Sequence, residues 1–180
     1  MNIPNKLTVL RIVLVPFFMF FLLCPLPNHF LFALIIFALA AITDHFDGKI
    51  ARANNLVTDF GKFADPLADK VLVMAAFMSF VQLGLIGATV VVIMISREFI
   101  VTSIRLIAAS SGKVIAANIW GKIKTVSQMI AIISVIVSQI LNIHTISYIS
   151  VILVWFSAIL TLISGIIYIK DNVEFIKNTK

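Results

Sequence analysis

Six long apolar stretches, joined by short connections, constrain the fold of this chain more than any other feature of its sequence. They span roughly residues 9–24, 30–51, 66–84, 86–108, 118–141 and 146–169, and Gly, Pro or Asn residues mark most of the breaks between them. A helix needs roughly 20 apolar residues to cross the hydrocarbon core of a bilayer. The sequence therefore predicts an all-α integral membrane protein with six transmembrane helices, organised as a single domain over residues 1–180.

The composition excludes the main alternatives to a membrane protein. Hydrophobic residues make up 61% of the chain and charged residues 12%, whereas a soluble domain usually carries about 25% charged residues. A chain this apolar is not disordered, and it has too few polar residues to cover the surface of a soluble globule. The single cysteine, Cys24, excludes an internal disulfide.

The basic residues are distributed very unevenly along the chain. The connections near 25–29, 84–87 and 142–145 contain no Lys or Arg, so all 14 basic residues fall on the other side of the predicted bundle. The positive-inside rule assigns that side to the cytoplasm. We therefore expect a multi-pass protein of the cell membrane with both termini in the cytoplasm. Its net charge of +6 then reflects orientation in a lipid bilayer and not a nucleic-acid partner.

Two pairs of aspartates stand at the predicted second and third helices. Asp44 and Asp47 are three residues apart, and Asp65 and Asp69 are four apart, so each pair shares one helix face. A short connection folds the two helices antiparallel and can bring the pairs together. Four converging carboxylates repel one another unless cations lie between them, and carboxylates suit Mg²⁺ or Mn²⁺. A two-metal site for phosphoryl chemistry follows as a hypothesis.

Two other interpretations of these aspartates remain open at this point. Carboxylates at a helix end can extend to the lipid headgroups or pair with nearby cations such as Lys49, Arg52 and Lys70. Buried acids also mark proton or cation pathways, which would make the protein a transporter. The acids cluster at one membrane face, however, and no ionisable group lies clearly at mid-span elsewhere.

The aspartates belong to a longer pattern that resembles a known family. Residues 44–69 match D-x2-D-G-x2-A-R-x8-G-x3-D-x3-D, the signature of the CDP-alcohol phosphotransferases, at every fixed position. The resemblance implies that family's six-helix membrane fold. It also implies that Asp44, Asp47, Asp65 and Asp69 hold two divalent cations, Mg²⁺ or Mn²⁺, and that Asp69 is the general base.

The resemblance extends to the nucleotide-linked donor. Gly48 and Arg52 match positions that touch the CDP-linked substrate, and Thr58 falls where the family often has another small hydroxyl residue. Near the amino terminus, Asn5, Thr8 and Arg11 are similar to a family element beside the cytidine and the diphosphate. The chemistry is consistent, since glycine lets a nucleotide approach the backbone and arginine grips phosphate oxygens with a planar fork.

A second resemblance concerns the acceptor. Residues 96–105 and 113–128 are similar to stretches of the family's bacterial phosphatidylglycerophosphate synthases, which use glycerol 3-phosphate. The implied reaction transfers the phosphatidyl group of CDP-diacylglycerol to the 1-hydroxyl of sn-glycerol 3-phosphate and releases CMP. A doubly charged phosphate needs a basic pocket, and we expect that pocket to contain Arg97, Arg105, Lys122 and Lys124.

Alternatives to this acceptor stay open within the family. Inositol phosphate, serine or phosphatidylglycerol are other acceptors, although a neutral or zwitterionic acceptor would make the basic cluster unnecessary. The assembly state is also undecided, because small residues within the predicted spans permit either close internal packing or a homodimer. These residues are Ala40, Ala41, Ala75, Ala76, Ser164 and Gly165.

Overall fold

The computed structural model describes the backbone of residues 3–53, 59–111 and 118–173, and the side chains of residues 6–43, 68, 70–111 and 118–173. Within these ranges the secondary structure consists of helices and turns, without a β-strand. The helices are α1 (Ile3–Leu23), α2 (His29–Ala53), α3 (Asp59–Gln82), α4 (Ala88–Ser110), α5 (Ile119–Leu141) and α6 (His144–Asp171). The six helices expected from the apolar stretches are therefore confirmed.

Residues in the left-handed backbone region end several helices. Asn142 caps the C-terminus of α5 with φ 51°, and its N–H donates to the carbonyl of Ser138 at 3.0 Å. Gly84 adopts φ 71° in the turn between α3 and α4, where a side chain would be strained. Such turns make the α3–α4 and α5–α6 connections short, so consecutive helices lie close together.

The helices pack into one bundle around a mainly aromatic and aliphatic core. Helix α1 packs on α2 and α3, α5 packs on α6, and α4 packs on both α3 and α6. Phe18, Phe37, Phe77, Phe80 and Ile132 are almost fully buried in this core. Many other large apolar side chains lie on the outer surface of the helices, which suits contact with lipid tails.

Within the described part of the chain, three helices are long and apolar enough to cross a membrane, and their candidate spans are Lys6–Leu23, Ile119–Leu141 and His144–Asp171. Helices α2 and α3 contain shorter apolar segments, His29–Thr43 and Lys70–Gln82. The chain is thus built as a membrane protein, and polar or charged residues interrupt the apolar character of the remaining helices.

The small residues of the spans serve packing within the chain. Ala40, Ala75, Ala76, Ser164 and Gly165 are all buried. Gly165 lets α4 approach α6 closely, because a Cβ at this position would lie 2.9 Å from Cγ of Arg97. These positions therefore contribute to close packing within the bundle, whereas Ala41 is half-buried.

Candidate active site

A cleft of about 440 Å³, lined by both charged and apolar side chains, opens between helices α3, α4 and α5. Its volume falls within the range of small-molecule sites, which is about 300–1,000 Å³. Five cationic side chains and one carboxylate line it, namely Lys70, Arg97, Arg105, Lys122, Lys124 and Glu98. All four cations that the sequence placed in an acceptor pocket lie in this one cleft.

The inner part of the cleft is organised around Glu98. Its Oε1 accepts hydrogen bonds from Nζ of Lys124 at 2.5 Å and from a terminal nitrogen of Arg97 at 3.0 Å. Nζ of Lys70 lies 3.8 Å from the other carboxylate oxygen. Arg97, Glu98 and Lys124 are each less than 10% exposed, so this ion cluster is held in a poorly solvated environment. Ion pairs in such surroundings interact more strongly than they do in water.

One glycine makes room for Arg97 in this cluster. Gly165 of α6 lies against the aliphatic stem of Arg97, and a Cβ at position 165 would stand 2.9 Å from Cγ of that stem. The guanidinium extends towards the first turn of α5, where the position of a Cβ on Gly121 is 3.8 Å from a guanidinium nitrogen, an ordinary contact distance. The absence of a side chain at Gly165 therefore allows the stem of Arg97 to lie where it does.

The mouth of the cleft carries the cations that are more exposed. Arg105 and Lys122 are exposed, and no carboxylate pairs with either of them among the described residues. Nε of Arg105 donates to the hydroxyl of Tyr168 at 3.2 Å, and the guanidinium carbon lies 5.3 Å from the centre of that ring. Tyr168 is buried, so it orients Arg105 while leaving the terminal nitrogens of the guanidinium uninvolved in that bond.

The start of α5 adds a further positive element to the cleft. Asn118 caps the helix by accepting from the backbone N–H of Gly121 at 3.0 Å. Lys122 and Lys124 thus lie in the first two turns, where the helix dipole already favours an anion. Within the helix, the positive end of the dipole repels these basic residues. Towards a ligand, however, the dipole and the basic residues act together, because both attract negative charge.

The aspartate motif lies on α2 and α3. Asp44 and Asp47 fall within α2, and Asp65 and Asp69 fall within α3, so both spacings occur on helical backbone as expected. The side chains of these four residues, and those of Asn5, Gly48 and Arg52, lie outside the described residues, as does Thr58 entirely. Position 69 precedes Lys70 and stands one helical turn before Val73, and both of these residues line the cleft.

Two residues of the predicted donor element are described. Thr8 and Arg11 are three positions apart on α1, and both are fully buried. Full burial is unusual for an arginine in an apolar helix, because interactions within the protein must offset the cost of removing its charge from water. The two residues share one face of α1, and their role in donor binding stays a prediction.

The sequence interpretation missed Lys70 and Glu98 as site residues. Lys70 directly follows Asp69, and its Nζ donates to Oγ1 of Thr102 on α4 as well as facing Glu98. The available signal for Glu98 was a carboxylate in an otherwise apolar stretch, which is costly in a membrane unless cations neutralise it. The bond from Lys124 to Glu98 joins α5 to α4, so it depends on contacts between two helices and not on a local pattern.

Comparisons with known proteins agree with the motifs. A sequence model of the CDP-alcohol phosphatidyltransferase family matches residues 1–163. A Bacillus subtilis protein named CDP-diacylglycerol–glycerol-3-phosphate 3-phosphatidyltransferase is 42% identical, and the match covers 99% of this chain and 98% of the relative. Proteins of the same name from Haemophilus influenzae and Rickettsia bellii are 38% and 37% identical over 96% and 94% of this chain, and over 98% and 94% of their own lengths. The predicted resemblance is thereby confirmed, and the chain belongs to the CDP-alcohol phosphatidyltransferase family.

Proposed function

We propose that this protein transfers the phosphatidyl group of CDP-diacylglycerol to the 1-hydroxyl of sn-glycerol 3-phosphate, giving phosphatidylglycerophosphate and CMP. The observation that carries the proposal is the cleft, in which Arg97, Arg105, Lys122 and Lys124 surround a space suited to a small dianion. A neutral acceptor would leave Arg105 and Lys122, which have no carboxylate partner among the described residues, without an anion to bind. The names of the three relatives support the same acceptor.

The acceptor binds with its phosphate among the cations and its 1-hydroxyl towards α3. Arginine and lysine form charge-assisted hydrogen bonds to phosphate oxygens, which are stronger than bonds between neutral groups. Lys70 connects the cleft to the end of α3 that carries Asp65 and Asp69. This connection supports a position of the acceptor beside the aspartate motif.

The donor enters from the bilayer and binds at the amino-terminal half of the chain. Asn5, Thr8 and Arg11 on α1 contact its cytidine and diphosphate, together with Gly48, Arg52 and Thr58. A lipid-linked donor and a water-soluble acceptor require a site at the membrane boundary, and charged side chains line the cleft although apolar helices form the bundle.

The four aspartates hold two divalent cations in this proposal. Their donor set consists only of carboxylate oxygens at helical spacings on α2 and α3, which fits Mg²⁺ or Mn²⁺ better than softer metals. When bound, such cations neutralise the diphosphate and stabilise negative charge on the transferring phosphoryl group. Asp44, Asp47, Asp65 and Asp69 are the ligands.

The chemical step uses Asp69 as the general base. Its carboxylate accepts the proton of the 1-hydroxyl as that oxygen forms a bond to the β-phosphorus of the donor. The bond between this phosphorus and the bridging oxygen of CMP breaks, and CMP leaves. The cations of the cleft hold the acceptor so that its hydroxyl is near the phosphorus, which contributes through proximity and orientation.

The protein works as a single domain of the cell membrane, with both termini in the cytoplasm. The support for this orientation is the absence of Lys and Arg from three alternate connections of the sequence. Glycerol 3-phosphate then reaches the cleft from the cytoplasm without crossing the membrane.

The proposal is tested by the choice of acceptor. Purified protein in detergent is given CDP-diacylglycerol and Mg²⁺ or Mn²⁺, and CMP release is followed with glycerol 3-phosphate, inositol phosphate, serine or phosphatidylglycerol. We expect CMP release only when glycerol 3-phosphate is the acceptor. This release should be lost in the Asp69→Asn variant and in the presence of a chelator. Release with another acceptor would overturn the proposed substrate, and no release with any acceptor would favour the transporter interpretation.

A further inference from the structure

Glu98 is a buried carboxylate inside a cleft that is otherwise built for an anion. Its oxygens face Lys124, Arg97 and Lys70 from α5, α4 and α3, at 2.5, 3.0 and 3.8 Å. An acid at this place lowers the positive charge available to a phosphate. The residue therefore needs a function that outweighs this loss of attraction.

Stability alone does not provide that function. A buried ion cluster contributes little net stability compared with well-packed apolar side chains, because its charged groups must leave water. Glu98 also lines the cleft, on the same face of α4 as Val101 and Arg105. The presence of a carboxylate at a ligand-binding surface is better explained if the carboxylate fixes the positions of the cations that it binds.

The cluster separates the cations of the cleft into two groups. Glu98 binds the buried ends of Arg97 and Lys124, whereas Arg105 and Lys122 at the mouth are exposed and lack a carboxylate partner among the described residues. Without Glu98, Lys124 and Arg97 would lose the carboxylate oxygen that both of them bind, and repulsion between these two nearly buried cations would favour moving them apart. With Glu98 present, Arg97 and Lys124 form an inner pair of cations whose positions are fixed, so the ligand meets the same arrangement of charges each time it binds.

We propose that Glu98 is a positioning residue of the acceptor site, which holds Lys124 and Arg97 in place so that the acceptor's phosphate is bound between this inner pair and the cations at the mouth. This inference rests on the proposed function, since it assumes a phosphorylated acceptor. It assigns Glu98 no contact with the reacting atoms. Its effect is on the affinity for the acceptor and not on the chemical step.

The test compares Glu98→Gln and Glu98→Asp with the wild type. Glutamine keeps the shape but removes the charge, and aspartate keeps the charge but is shorter by one methylene group. For Glu98→Gln we expect KM for glycerol 3-phosphate to rise about tenfold or more, which corresponds to about 1.4 kcal/mol of binding free energy. KM for CDP-diacylglycerol should stay within about twofold, and Glu98→Asp should lie between Glu98→Gln and the wild type.

The matched control is Asp171→Asn, which removes an exposed acid at the end of α6 outside the cleft and should leave both KM values unchanged. A second measurement uses inorganic phosphate, whose protection against thermal unfolding should be weaker in Glu98→Gln than in the wild type. Should Glu98→Gln fail to fold, Glu98→Asp provides the same comparison with a smaller expected change.

Several results would overturn the inference. An unchanged or lower KM for glycerol 3-phosphate would mean that Glu98 only reduces the charge of the cleft. An equal rise of both KM values, with a lower melting temperature, would mean that its role is structural. If the wild type released no CMP with glycerol 3-phosphate, the proposed function would fail, and the phosphate measurement would still decide the role of Glu98. Absence of protection by phosphate in the wild type would overturn the inference about Glu98, whereas CMP release with glycerol 3-phosphate decides the proposed function separately.

Discussion

Substitution of Gly165 by alanine should displace Arg97 and reduce activity with glycerol 3-phosphate. A Cβ at position 165 would lie 2.9 Å from Cγ and 3.9 Å from Cβ of Arg97. Carbon atoms in contact prefer about 3.5–4.0 Å, so Cγ must move by at least about 0.6 Å. Because Cγ lies in the stem of the side chain, its movement also carries the guanidinium away from Glu98, which it binds at 3.0 Å.

The magnitude follows from two opposing effects. Overpacking costs about 1–3 kcal/mol, and replacing glycine with alanine inside a helix recovers about 1 kcal/mol. The net loss of stability is therefore about 0–2 kcal/mol, and the protein should still fold. A hydrogen bond to a charged group contributes about 1.5–3 kcal/mol, so losing correct placement of Arg97 should lower kcat/KM for glycerol 3-phosphate by about tenfold to a hundredfold.

The assay is CMP release by purified Gly165→Ala, with its melting temperature measured in the same detergent. Gly87→Ala is the matched control, because a Cβ at position 87 meets no atom within 4 Å among the described residues. We expect the control to stay within about twofold of the wild type. A folded Gly165→Ala protein with wild-type kcat/KM would refute the argument that this glycine sets the position of Arg97.

Three further predictions concern the mouth of the cleft and the start of α5. Tyr168→Phe removes the acceptor of the Arg105 hydrogen bond at 3.2 Å, so KM for glycerol 3-phosphate should rise by severalfold while kcat changes little in steady-state kinetics. Lys122→Met should raise the same KM by about tenfold, whereas Lys170→Met, outside the cleft, should leave it unchanged. If both variants raised KM equally, the cause would be the lower overall charge of the protein and not the loss of a phosphate contact. Asn118→Ala removes the α5 cap and should destabilise the protein by about 1 kcal/mol, and an unchanged melting temperature would contradict that role.

The sequence was sufficient to predict the helices and the family. Apolar stretches of membrane-spanning length are a local property, and the observed helices begin and end within a few residues of most of the predicted limits. The turn at Gly84 and the cap at Asn142 were also marked by residues that adopt positive φ values. The motif at residues 44–69 predicted the family because its fixed positions are closely spaced along the chain.

The internal organisation of the cleft could not be predicted in the same way. The bond between Glu98 and Lys124 joins residues 26 positions apart, and Gly165 meets Arg97 across two helices that are distant in sequence. Such contacts depend on how α4 crosses α5 and α6, which is set by packing and not by the local pattern. For the same reason Lys70 was assigned to the positive side of the membrane but not to the cleft.

The most direct test of the proposed function is the transfer of label from glycerol 3-phosphate into lipid. Purified protein is incubated with CDP-diacylglycerol, a divalent cation and glycerol 3-phosphate labelled in its glycerol carbons, and both CMP and organic-soluble label are quantified. We predict one mole of label in phosphatidylglycerophosphate for each mole of CMP released. Release of CMP without transfer of label into lipid would contradict the account, because the protein would then use water or another acceptor.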